Sequence, residues 1–76
     1  MRVTWEEKDI VPGRRYGRDG LSETWQIGFL ASEDSAARYV SVSNSDGMVT
    51  APRTKSDLAE ALTTERYVPV ELLTSR

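Results

Sequence analysis

The chain has 76 residues, with ten lysines and arginines against twelve aspartates and glutamates, a formal net charge of −2 and a pI near 5.0. It contains neither cysteine nor histidine, which excludes disulfides, thiolate nucleophiles, zinc ribbons, and the commonest general base and neutral metal ligand. This length fits one domain, residues 1–76, held by an apolar core alone. The acidic balance speaks against a dedicated polyanion binder, whose domain pI usually exceeds ~9.

No apolar run follows Met1, so neither a signal peptide nor a membrane span is expected. Met1 reads as a genuine start and Ser75-Arg76 as a frayed end. The lack of cysteine fits a reducing compartment, and a cytoplasmic location is the expectation. Charges are mixed along the chain and 38% of positions are hydrophobic, which favours a folded domain over a disordered segment.

Val3 and Trp5 alternate with Arg2, Thr4 and Glu6, predicting a short first strand. Val11-Pro12-Gly13-Arg14 predicts a type II turn, because proline presets φ at one central position and glycine supplies φ > 0 at the next. Arg14 to Arg18 reads as a short exposed strand, and Asp19-Gly20 as a second turn. "ETWQIGFLA" is the strongest strand, with Trp25, Ile27 and Phe29 on one face and Thr24, Gln26 and Gly28 on the other. Gly28 predicts a bulge, a bend or a close backbone approach.

Residues 31–37 read as a loop or a single helical turn. "RYVSVS" then places Val40 and Val42 on one face and Tyr39, Ser41 and Ser43 on the other. "NSDG" predicts a hairpin connection with Gly47 left-handed, and "MVT" the partner strand. Thr54 and Asp57 match a capping box, and Leu58, Ala61 and Leu62 form the apolar stripe of a helix of about ten residues ending near Glu65. In "RYVPVELL", Val68, Val70 and Leu72 share a face, and Pro69 confines this last strand to an edge or faces outward.

The order β, β, β, β, β, α, β predicts an α+β domain, a small curved antiparallel sheet of five to six strands with one helix before the last strand. The expected core is Trp25, Ile27, Phe29, Val40, Val42, Val49, Leu58, Leu62, Val68 and Val70, with Trp5 at its rim. The turn after "DIVPG" and the run "WQIGFL…RYVSVSNSDG" resemble a small SH3-like barrel of the Tudor or KOW kind over residues 9–50. That resemblance implies a partial barrel and transfers no site; the helix is longer than such barrels usually carry. The overall texture is also similar to short proteins encoded by bacteriophages and prophages.

Arg14, Tyr16 and Arg18 fall on one face of their strand, with Arg15 opposite. One reading is a basic strand whose tyrosine stacks on a base; the other is an edge strand kept from pairing by its charges. Glu6, Glu7, Asp9, Asp19 and Glu23 flank it and can neutralise it. Trp25 is expected in the core, whereas Trp5 has polar neighbours and equal claim to a contact patch. Asn44, Ser45 and Asp46 offer oxygens, but turn chemistry explains them and no far bidentate carboxylate completes a calcium loop. The pairs Glu6-Glu7 and Glu33-Asp34 lack a shared pocket, and Lys8 and Lys55 lie in polar segments.

No enzyme, cofactor or metal site is therefore expected. The expected function is a small binding or regulatory module that touches another protein through its exterior, as a monomer or weak homodimer, without membrane contact. Its partner-binding residues would be Trp5, Arg14, Tyr16, Arg18, Tyr39 and Tyr67, since aromatics and arginine dominate such interfaces. The alternative is nucleic-acid binding through the Arg14–Arg18 strand.

Overall fold

A computed structural model describes residues 3–18, 20, 22–31 and 36–73. Asp19, the pair Glu33-Asp34 and the two chain ends lie outside the described residues. The order is a 3₁₀ turn at Glu7–Asp9, β1 (Arg15–Gly17), β2 (Thr24–Phe29), β3 (Tyr39–Ser43), α1 (Lys55–Thr64), β4 (Val68–Pro69) and α2 (Val70–Leu73). The strands form one open antiparallel sheet in the order β3-β2-β1-β4.

The turn at Pro12-Gly13 forms as its residues dictate. Gly13 has φ 92°, and the Arg14 N–H donates to Val11 O at 3.0 Å. The Gly13 N–H donates to Ile27 O at 2.8 Å and the Ile27 N–H to Arg14 O at 2.9 Å. Two residues thus oppose one, which is a bulge opened by a left-handed glycine. The bulge falls at Gly13, whereas Gly28 keeps regular register opposite Val40. What approaches Gly28 closely is a side chain rather than the expected backbone, since a Cβ there would lie 3.0 Å from Val40 Cγ2.

Arg14 to Arg18 proves not to be an edge strand. β1 lies inside the sheet, because the chain returns through α1 and pairs β4 with Tyr16 and Gly17. Pro69 sits in β4, the edge strand, as its missing N–H requires. Beyond it the expected strand turns into α2, whose Leu73 would meet a Cβ on Gly17 at 3.4 Å. The first expected strand does not form either. The Trp5 N–H instead donates to Thr63 Oγ1 on α1 at 2.8 Å, and the chain passes into the 3₁₀ turn, where Asp9 Oδ2 accepts from the Glu6 N–H at 2.9 Å.

The hairpin after β3 is present. Gly47 has φ 76°, and its N–H donates to Ser43 O at 2.9 Å. The expected "MVT" strand reduces to two isolated bridges, Val42 with Val49 and Tyr39 with Arg53. The cause is local. Thr50 Oγ1 takes the Ser41 N–H at 3.0 Å, and Pro52 has no N–H to give.

Helix α1 starts where Thr54 Oγ1 accepts from the Asp57 N–H at 3.1 Å and buries Leu58, Ala59 and Leu62. It ends in a Schellman motif, with Tyr67 N–H to Leu62 O at 3.0 Å and Arg66 N–H to Thr63 O at 3.1 Å. The left-handed position is filled by Arg66, at φ 63°, rather than by glycine.

Register decides which side chains α1 covers. Directly opposed residues share a face, and Ile27 opposes Ser41 while Tyr16 opposes Trp25. The covered face therefore carries Tyr16, Trp25, Ile27 and Ser41; Val40 and Val42 are on the other. The core cluster is Trp5, Ile10, Tyr16, Ile27, Leu58, Ala59 and Leu62. Val40 and Val68 are buried outside it. Phe29 and Val49, expected inside, are 41% and 55% exposed. Phe29 lies at the end of β2 that α1 does not roof, whereas Val49 opposes Val42 and so sits on the face turned away from α1. Trp25, Val42 and Val70 are half-buried. No described helix is long and apolar enough to cross a membrane.

Candidate functional site

The six residues picked from the sequence fall into three places. Four of them meet. Tyr16 points inward from β1, with its ring edge-on to Trp5 at 5.8 Å and to Tyr67 at 5.0 Å. The Trp5 indole N–H donates to Tyr67 O at 2.8 Å, which ties the N-terminal segment to the chain beyond α1. Arg18, two residues along from Tyr16, lays its guanidinium over the Tyr67 ring at 4.5 Å. It pairs with Glu65 Oε1 at 2.7 Å, and its Nε–H donates to Glu65 O at 3.1 Å. Trp5 and Tyr16 are 4% and 2% exposed, so they support a surface rather than form one.

Arg14 stands apart, 3.7 Å from Asp9. The flanking acid expected to neutralise it does approach it, whereas the acid on Arg18 is Glu65, forty-seven positions away. Arg15 is exposed on the opposite face from Tyr16. Tyr39 lies at the far end, 5.2 Å from the Phe29 ring and 5.7 Å from Lys55 Nζ.

Between α1 and the covered sheet face lies a cleft of about 160 Å³. Leu58, Ala61 and Leu62 form its helix wall, and Tyr16, Trp25 and Ser41 its floor. Thr50, Arg53, Glu65 and Tyr67 complete the lining. At the floor the Tyr16 hydroxyl donates to Ser41 Oγ. Burial pushes the Tyr16 phenol above its ordinary value, partly offset by the Ser41 bond and by the charge of Arg53. The phenol therefore stays a neutral donor at ordinary pH.

A typical small-molecule pocket occupies roughly 300–1,000 Å³, and a cavity near 150 Å³ accepts one benzene ring. The cleft accordingly has room for a single ring or one large aliphatic side chain. Arg53 is carried to its edge by paired backbone bonds with Tyr39 at 2.8 and 2.9 Å.

The oxygen-rich hairpin is used locally. Asp46 Oδ1 accepts from the Met48 N–H at 3.0 Å, which is the main cause holding its carboxyl below the usual range. Asn44 Nδ2 donates to Thr24 Oγ1 at 2.9 Å. Glu6 and Glu7 flank an open hollow shared with Glu60 and Lys8. Among the described residues no three acidic side chains gather as a metal site would require.

Ser41, Thr50, Arg53 and Glu65 went unrecognised in the sequence. Ser41 alternates with two valines and so read as solvent-facing. Its signal lay only in the pairing with Ile27, which a single strand does not reveal. No family model, curated protein or solved structure matches the chain.

Proposed function

We propose that the chain is a small non-enzymatic module that binds another protein, and that it does so where Arg53, on the cleft's lining, pairs with Tyr39 next to Phe29. The observation that carries this reading is an aromatic pair, with Phe29 41% exposed, joined through Arg53 to a cleft sized for one side chain. Exposed aromatics next to a small apolar recess are the usual anchors of protein interfaces. The missing histidine and cysteine support a non-catalytic role, and the missing cysteine also supports placement in the cytoplasm. An SH3-like arrangement belongs to the same reading, supported by the 48–53 segment bridging to β3.

The competing reading is nucleic-acid binding by the Arg14–Arg18 strand. Carboxylates already sit on Arg14 and Arg18, which leaves Arg15 as the strand's one arginine without a carboxylate among the described residues. A photo-crosslinking residue placed at Phe29, with Lys8 as control, tests the choice in the native host. A protein adduct from position 29 and none from position 8 is expected. A nucleic-acid adduct, or equal labelling from both positions, would overturn the reading.

A further inference from the structure

Arg53 and Lys55 bracket Tyr39: one pairs with its backbone, the other stands over its ring. No carboxylate among the described residues lies within ion-pair distance of either. By contrast, Glu65 on the cleft's lining is committed to Arg18. Arg53 on the cleft's lining and Lys55 over the neighbouring Tyr39 ring therefore put positive charge beside one edge of the cleft, although the whole chain carries −2. Inside, the walls are apolar, with the Ser41 and Thr50 hydroxyls at hand. Apolar depth with positive charge at the lip defines a complementary ligand.

We propose that the occupant is an acidic segment of a partner protein, with one aromatic or large aliphatic side chain seated in the cleft. An aspartate or glutamate beside that side chain meets Arg53 and Lys55. This rests on the reading of the chain as a protein-binding module and adds the chemistry of its partner. Two cations give phosphate recognition little to work with, since nucleic-acid affinity grows with the number of phosphates neutralised. A single apolar anchor with adjoining charge pairs matches how protein segments dock.

Selection from a displayed library of random peptides tests this, using the full chain and an Arg53→Glu, Lys55→Glu double variant. Lys55 is the first residue of α1, where an acidic side chain suits the helix dipole, so the variant should fold; its thermal transition verifies that. The native chain should enrich peptides with an aromatic or leucine flanked by Asp or Glu. The variant should bind those peptides about tenfold more weakly and instead enrich Lys- or Arg-flanked ones. Ala61→Leu, which fills the cleft from the helix wall, should abolish enrichment of the apolar anchor. The same consensus from both chains, no enrichment, or selection unaffected by Ala61→Leu would overturn the proposal. A protein adduct at position 29 together with a failed acidic selection would leave the module reading standing. A nucleic-acid adduct there would remove both.

Discussion

Trp5, Tyr16 and Tyr67 at one end of the sheet, and Phe29 with Tyr39 at the other, are both aromatic clusters with rings 5.0–5.8 Å apart. They differ in what lies over them. The first is roofed by the end of α1, bound to it through Thr63, and capped by Arg18 on Tyr67. The second has Lys55 over one ring and leaves Phe29 open to water. In a chain of this size one ten-residue helix cannot roof the whole sheet, so similar side chains become core at one end and surface at the other.

The largest effect should come from breaking the roofed end. Trp5→Ala removes a buried ring and the indole bond to Tyr67, and should cost about 3–5 kcal/mol. That is a large share of the stability expected of so small a domain. Phe29→Ala should cost less than about 1 kcal/mol by the same urea titration. Equal losses would erase the distinction between the two ends.

Gly28→Ala probes the uncovered face. A Cβ would stand 3.0 Å from Val40 Cγ2, and Val40 is 4% exposed with little room to yield. A loss of about 1–2 kcal/mol is expected, much reduced in a Val40→Ala background.

Tyr16→Phe should cost about 1–2 kcal/mol, because Ser41 loses its hydroxyl partner in a buried setting. It should also alter the alkaline limb of the stability curve. The folded chain holds the Tyr16 phenol above its ordinary value of 10.0. Stability from the neutral phenol is thus fully present below about pH 10 and is lost as pH rises through the folded value. Urea midpoints measured across that range should fall for the native chain and fall less for Tyr16→Phe.

The smallest effect is a gain. Arg66→Gly relieves a left-handed arginine at the end of α1 and should stabilise the chain by about 0.5–1 kcal/mol. Denaturant midpoints check this, and a loss would mean that the Arg66 side chain contributes contacts that outweigh the backbone strain.

Punctuation was the legible part of the sequence. Pro12-Gly13, the Asp46-Gly47 turn, and the Thr54 cap with its helix to Thr64 depend on residues within a few positions of one another. Each forms as its local chemistry dictates. Pairing was not legible. Trp25, Ile27 and Phe29 share a face, as do Val40 and Val42, but opposing Ile27 to Ser41 puts the two sets on opposite sides of the sheet. Trp5 and Tyr16 looked like surface anchors because their chain neighbours are polar; what buries them arrives from residues 58–67. The lost fifth strand turns on the side-chain bond from the Ser41 N–H to Thr50 and on Pro52, which has no N–H to pair. Of the site, Tyr16, Tyr39 and Tyr67 were recognised, while Arg53 read only as the end of a strand.

The most direct measurement is a map of backbone amide shifts on adding the partner that crosslinks to position 29. Changes should concentrate at Phe29, Tyr39, Thr50, Arg53 and Ala61, with Glu6 to Asp9 silent. Changes centred on Arg14 to Arg18, with the cleft unmoved, would contradict the account.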